Sequence, residues 1–104
     1  MAYQKHILIG RITRIHGFEG AVTVRTDPVF SENIPGMETV FLEIDGKPVP
    51  FFIEYIEKAG AGMLRMKFEG YNNDTKVREF IGCGVFMTDI SSRENPAEKI
   101  QDLS

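Results

Sequence analysis

His16, set in the run His16-Gly17-Phe18-Glu19-Gly20, is the first place in this chain where side chains could do chemistry. Glycine alone visits positive φ without steric cost, so two glycines three residues apart mark a tight, irregular turn between paired strands. Arg11 and Arg14 precede the turn and Arg25 follows it, which gathers cations at one end of a sheet. As a general base, His16 would need a partner to orient its ring and a substrate within hydrogen-bond reach. No Ser or Cys nucleophile neighbours it in sequence, so catalysis is the weakest of its three roles. The others are to fix the loop through ring hydrogen bonds or to meet a partner. A metal site fares no better: His6 and His16 are the only histidines and Cys83 the only thiol, so a closed nitrogen and sulfur site would need carboxylates to complete it. No Gly-x-x-x-x-Gly-Lys occurs, and neither Gly17–Gly20 nor Gly60–Gly62 lies between a strand and a long helix, which removes a phosphate loop. The expectation is a chain with no metal, no cofactor and no enzymatic activity.

Recognition suits these residues better. The partner-binding candidates are Arg11, Arg14, His16, Phe18 and Arg25. The arginines are either solvated surface residues or donors of charge-assisted bonds to phosphate or acidic side chains, which fix position without reading sequence. Phe18 at the turn tip either stacks on a base, fills a partner's pocket, or folds back over the end of the sheet. Lys67, Lys76 and Arg78 form a weaker patch, interrupted by Asp74 and Glu79. Cys83, between Gly82 and Gly84, reads as a small core residue.

The elements that must position these groups are short and strand-rich. A length of 104 residues fits one domain, and 42% hydrophobic with 26% charged residues is ordinary for a folded chain. No apolar run approaches the roughly 18 residues of a membrane span, and the start of the chain lacks a cleavable signal pattern. One cysteine cannot form an internal disulfide, so a reducing, cytoplasmic setting is expected. Residues 1–26 hold four basic side chains against Glu19 alone, whereas the remainder holds eight basic and fourteen acidic ones. Such a chain could show one face to phosphate and another to a basic protein, unless the charges merely scatter.

Residues 5–15 and 21–26 read as the first two strands, with Val22 and Val24 inside and Thr23 and Arg25 outside. The stretch from Asp27 to Gly36 reads as a loop over which Val29, Phe30 and Ile34 tuck inward. Strands follow at Thr39 to Ile44, closed by an Asp45-Gly46 turn, and, after an edge at Pro48 and Pro50, at about Phe51 to Glu57. In Met63 to Phe68 the alternation places Leu64, Met66 and Phe68 inside, with Arg65 and Lys67 outside. Asn72-Asn73-Asp74 supplies N-cap chemistry for a helix of about two turns, in which Val77, Phe80 and Ile81 form one apolar stripe. Gly82 sits where a terminating glycine belongs, and Val85 to Thr88 is the last strand. Six short strands with glycine- and proline-rich turns predict an all-β fold with one short helix, its strands in a closed or nearly closed barrel, since closure removes exposed edges.

Two motifs carry a family resemblance. Gly10 with Ile12, the His16-Gly17-Phe18-Glu19-Gly20 turn and Val22-Thr23-Val24 form one; Lys67-Phe68-Glu69-Gly70, Val77 and Gly82 form the other. Over residues 7 to 90 the chain resembles the N-terminal domain of the ribosome maturation factor RimM, departing at Val77, where the family more often has Ala. The resemblance implies a six-stranded antiparallel β-barrel, translation-protein-like, over residues 1–90, with Gly17, Gly20, Gly70 and Gly82 as turn glycines. Residues 91–104 then read as a linker toward a second barrel, the PRC domain, missing here; the chain would be a shortened form of a two-domain protein or, as the second reading, a natural single-domain relative.

The resemblance further implies a factor that binds the small ribosomal subunit and assists late assembly of its head and processing of 16S rRNA, by binding without catalysis. Its partners would be the small subunit, ribosomal protein number nineteen of that subunit, and 16S rRNA. Two rivals stand beside this: a generic translation-factor-like barrel binding RNA or protein outside ribosome assembly, and an enzyme acting on RNA.

Overall fold

Alternating apolar and polar positions, rich in β-branched side chains, lay down β1 (His6–His16), β2 (Ala21–Thr26), β3 (Thr39–Ile44), β4 (Lys47–Gly60), β5 (Met63–Phe68) and β6 (Gly84–Thr88). The structure, a computed structural model, describes residues 6–34 and 36–88; the expected linker at 91–104 lies outside them. The strands close into an antiparallel ring in the order β1-β2-β5-β4-β3-β6. Inside it, Ile12, Val22, Val24, Leu42, Leu64, Met66, Phe68 and Val85 are wholly buried. Where the chain leaves β5, the rings of Phe51, Phe68, Tyr71 and Phe80 meet at centroid distances from 5.1 to 6.2 Å.

β4 is longer than its sequence predicts, because Pro48 and Pro50 lie within it rather than before it. The reason is orientation. Ile53 N–H donates to Glu38 C=O on the β3 side. Alternation therefore turns the nitrogens of Pro48 and Pro50 the other way, where this half of β4 has no paired neighbour. No ladder bond is lost, and an otherwise open edge carries no N–H to template another strand at those positions. At the β3–β4 turn, Asp45 and Gly46 both have positive φ (54° and 77°), as a two-residue hairpin matching strand twist requires.

The segment after β2 is not wholly loop. Asp27 caps a one-turn helix, α1 (Pro28–Glu32), by accepting from Val29 N–H at 2.9 Å. So short a helix presents one flank to the barrel, and Phe30 and Ser31 occupy it. Ser31 Oγ accepts from Gly62 N–H at 2.9 Å, which pins α1 to the β4–β5 turn. Val29 and Ile34, expected to tuck inward, are exposed.

The capped helix at Asn73 is present but shorter. Asn73 Oδ1 accepts from Lys76 N–H at 2.9 Å to start α2 (Asp74–Val77), which tightens at once into a 3₁₀ turn over Arg78–Phe80. Three residues per turn carries position i+4 off the apolar face. Val77 and Phe80 are buried accordingly, while Ile81 is extended and exposed, a correction to the three-residue stripe.

Thr23 and Lys67 are also corrections: both occupy outward strand positions, yet both are buried. Thr23 lies in register between Arg14 and Arg65. Lys67 Nζ donates to Glu54 Oε1 at 3.0 Å and to Asn72 Oδ1 at 2.8 Å. Long side chains lying along a sheet cover its short neighbours, so alternation identifies a face without saying whether water reaches it.

Closure is uneven. β3 and β6 are in register only through Phe41–Phe86 and Leu42–Val85, whereas β1 and β2 pair from Gly10–Thr26 to His16–Ala21. Amide exchange is therefore expected to be fastest, among strand residues, at the β3–β6 junction and slowest along β1, β2 and β5. Equal protection around the ring would contradict this.

Candidate functional site

The glycine corner joins the end of β1 to the start of β2. Gly17 and Gly20 have φ of +72° and +97°. A Cβ on Gly17 would meet open space, but one on Gly20 would collide with the backbone C=O of Tyr71. The corner is thus packed against the loop that caps α2, and the two sequence motifs, some fifty residues apart in the chain, touch here. A second link runs from β1: Gly82 N–H donates to Ile12 C=O at 2.7 Å, and Arg11 Nη1 donates to Gly82 C=O at 2.7 Å. Gly70 and Gly82 also have positive φ, +87° and +93°.

The three arginines share the outer face of β1 and β2. Arg11 lies directly opposite Arg25, and Arg14 lies opposite Thr23 after the register shifts at Thr13. Their states differ. Arg11 is committed in part to holding Gly82, whereas Arg14 and Arg25 are exposed and take part in no ion pair among the described residues. Like charges on adjacent strands repel. A surface that keeps two uncompensated guanidinium groups there favours an anion.

The turn does not gather all three at its own end of the sheet: Arg11 and Arg25 lie up the strands from the paired His16 and Ala21. The groove at the corner, of about 410 Å³, is lined instead by His16, Gly17, Phe18, Glu19, Ala21, Tyr55, Glu57 and Arg65. Phe18 is 82% exposed, so the ring stands out at the turn tip and is not folded over the barrel. His16 is exposed and makes no ring hydrogen bond among the described residues; the corner's shape comes from its glycines. At the groove wall Arg65 Nη1 donates to Glu57 Oε2 at 3.1 Å, and Arg65 Nε is buried without an acceptor. Tyr55, Glu57 and Arg65 were not among the candidates. Alternation did place Arg65 outside; only the ring order, with β5 beside β2 and β4 beside β5, brings it to the corner.

The weaker basic patch shrinks to Lys76 and Arg78, both exposed. Lys67 is buried, and Arg78 pairs with Asp74 at 3.5 Å. Cys83 is half-buried against the core, and burial first, then Glu43, push its thiol pKa upward against the lowering effect of Arg11. Less thiolate at a given pH means slower alkylation. Iodoacetamide is expected to modify Cys83 more slowly at pH 8 than a free cysteine peptide, the gap closing as pH rises; a faster rate would contradict this. Among the described residues no group of three or more His, Cys, Asp or Glu could hold a metal ion, and no helix is long and apolar enough to cross a membrane.

Comparison with known proteins gives a consistent result. Residues 7–91 match the family model of the RimM N-terminal domain. The chain is 33% identical over 79 residues to the ribosome maturation factor RimM of Flavobacterium psychrophilum, covering 76% of this chain and 45% of that one. It is 33% identical over 97 residues to the RimM of Pseudothermotoga lettingae, covering 89% and 57%. The chain therefore spans about half the length of the curated relatives it matches. In fold it is similar to a crystal structure from Pseudomonas aeruginosa described as a 16S ribosomal RNA processing protein RimM (TM-score 0.69, 23% identity, 91% of this chain and 56% of that one). It is also similar to the N-terminal domain of RimM from Thermus thermophilus in solution (TM-score 0.63, 21% identity, 90% and 99%).

Proposed function

Because this chain belongs to the RimM family through its N-terminal domain, we propose that it takes part in ribosome maturation by binding the small ribosomal subunit, and that it does so without catalysis. Within that role it assists late assembly of the subunit head and processing of 16S rRNA, in the cytoplasm. Its partners are the small subunit, 16S rRNA, and the basic ribosomal protein number nineteen of that subunit. The observation that carries this is the match over residues 7–91, which takes in almost the whole barrel together with the glycine corner and the capped turn packed on it.

The physical mechanism is differential binding. A factor that holds one arrangement of the head more tightly than others shifts the population toward it, by no more than the difference in affinity. Arg14, Arg25 and Phe18 supply contacts that require no bond to be made or broken. The exposed His16 ring, with no group orienting it among the described residues, suits a contact better than a general base.

The test is sedimentation of this chain, and of a form as long as its relatives, with isolated small and large subunits. Co-migration with small subunits alone is expected. Absence of both forms from the small-subunit fraction would overturn the proposal, and so would RNA turnover abolished by His16→Ala.

A further inference from the structure

Tyr55, Glu57 and Arg65 come from two strands that the glycine corner does not belong to, yet they wall the same groove as His16 and Phe18. At about 410 Å³ the groove is on the scale of a small-ligand site. We propose that it seats one unstacked nucleobase of single-stranded RNA, with Phe18 as the stacking platform, Arg14 meeting the backbone near that base and Arg25 meeting it farther along the strand. This rests on the small-subunit function above and specifies which chemistry of the subunit the corner meets.

Three observations support that occupant. The first is the platform: Phe18 is 82% exposed, and a flat apolar face held in water at a turn tip fits the face of a base, which every nucleotide has. The second is the charge. Glu19 and Glu57 also line the groove and taken alone would favour a cation, but Glu57 is held by Arg65 at 3.1 Å. That leaves Glu19 as the one charged lining residue without an ion pair among the described residues, so the groove suits the uncharged base. The cations that would meet its backbone, Arg14 and Arg25, lie outside the lining on β1 and β2. The third is continuity. Arg14 lies opposite Thr23, and Thr23 opposite Arg65, so one register row across β1, β2 and β5 leads from a free guanidinium into the groove. A backbone tracking that row would bring a base to the Phe18 ring. Duplex RNA hides its base faces in the stack and cannot use such a platform, whereas a loop or bulge can.

The experiment measures binding of labelled seven-nucleotide oligouridine and oligoadenine, and of a duplex of the same length, to the full chain at several salt concentrations. The single strands are expected to bind at least about ten-fold more tightly than the duplex. Phe18→Leu, which keeps an apolar side chain and lies at an exposed tip, is expected to lose about ten-fold or more with its melting temperature unchanged. Phe52→Leu, an exposed aromatic on β4 outside the groove, is expected to lose nothing. Arg14→Gln with Arg25→Gln should weaken binding and flatten its salt dependence. Equal affinity for the duplex or an unaffected Phe18→Leu variant would overturn the proposal. If oligonucleotides fail to bind while the chain still sediments with small subunits, the base site falls and the proposed function stands; if neither binds, both fall.

Discussion

Gly20→Ala is expected to cost about 3 kcal/mol or more, and Gly17→Ala only about 1 kcal/mol, although the two glycines belong to one turn. Both have positive φ, so an alanine at either position is strained. Only at Gly20 does the new methyl also strike a backbone carbonyl, that of Tyr71, with Asn73 N close behind. A flexible side chain could move aside; a backbone that also caps α2 through Asn73 cannot shift without disturbing the cap. In a domain of this size 1 kcal/mol corresponds to roughly 4–8 °C, so Gly20→Ala should melt at least about 12 °C below the parent, and Gly17→Ala within about 8 °C. Thermal denaturation decides it. Equal shifts would mean that the corner is not packed on the second motif.

Reversing Arg14 and Arg25 to Glu is the second large effect. The double variant should bind small subunits about 100-fold more weakly, with a salt dependence shallower by about two units of log–log slope, one for each lost phosphate contact. Stability should change little, because neither side chain makes an ion pair among the described residues. Arg11→Glu should behave differently, since Arg11 Nη1 holds Gly82 C=O. Its loss should lower the melting temperature as well as affinity. Salt-dependent co-sedimentation with a parallel melt separates the two classes. Unchanged subunit binding by the double variant would remove Arg14 and Arg25 from the interface.

Strands whose two faces differ sharply in polarity were legible in the amino acids: Val22 and Val24 in β2, and Leu64, Met66 and Phe68 in β5, point inward as their alternation predicts. The Asn73 cap and the Asp45-Gly46 turn were legible too, because each depends on local chemistry. Three features were not. Pro48 and Pro50 read as a strand boundary, since sequence does not reveal which side of β4 lacks a neighbour. Thr23 and Lys67 read as solvated, since burial on an outer face depends on which long side chains lie across it. Tyr55 and Arg65 could not be placed beside His16, because strand order in a ring is a tertiary fact.

The resemblance to RimM, by contrast, rests on the residues of two short motifs that match the family's, and the match over residues 7–91 bears it out. Its two motifs are joined in the structure by the Gly20 contact with Tyr71 and by the Arg11 bond to Gly82. That gives a physical reason for them to occur together. One shapes the corner and the other braces it.

The most direct measurement is site-specific crosslinking. A photoreactive phenylalanine analogue is placed at position 18, and separately at position 52, in the full chain, and each variant is irradiated with small and with large ribosomal subunits. If the glycine corner is a recognition surface for the small subunit, position 18 crosslinks to small-subunit components and position 52 does not. Crosslinking from position 52 alone, or equally to both subunits from position 18, would contradict it.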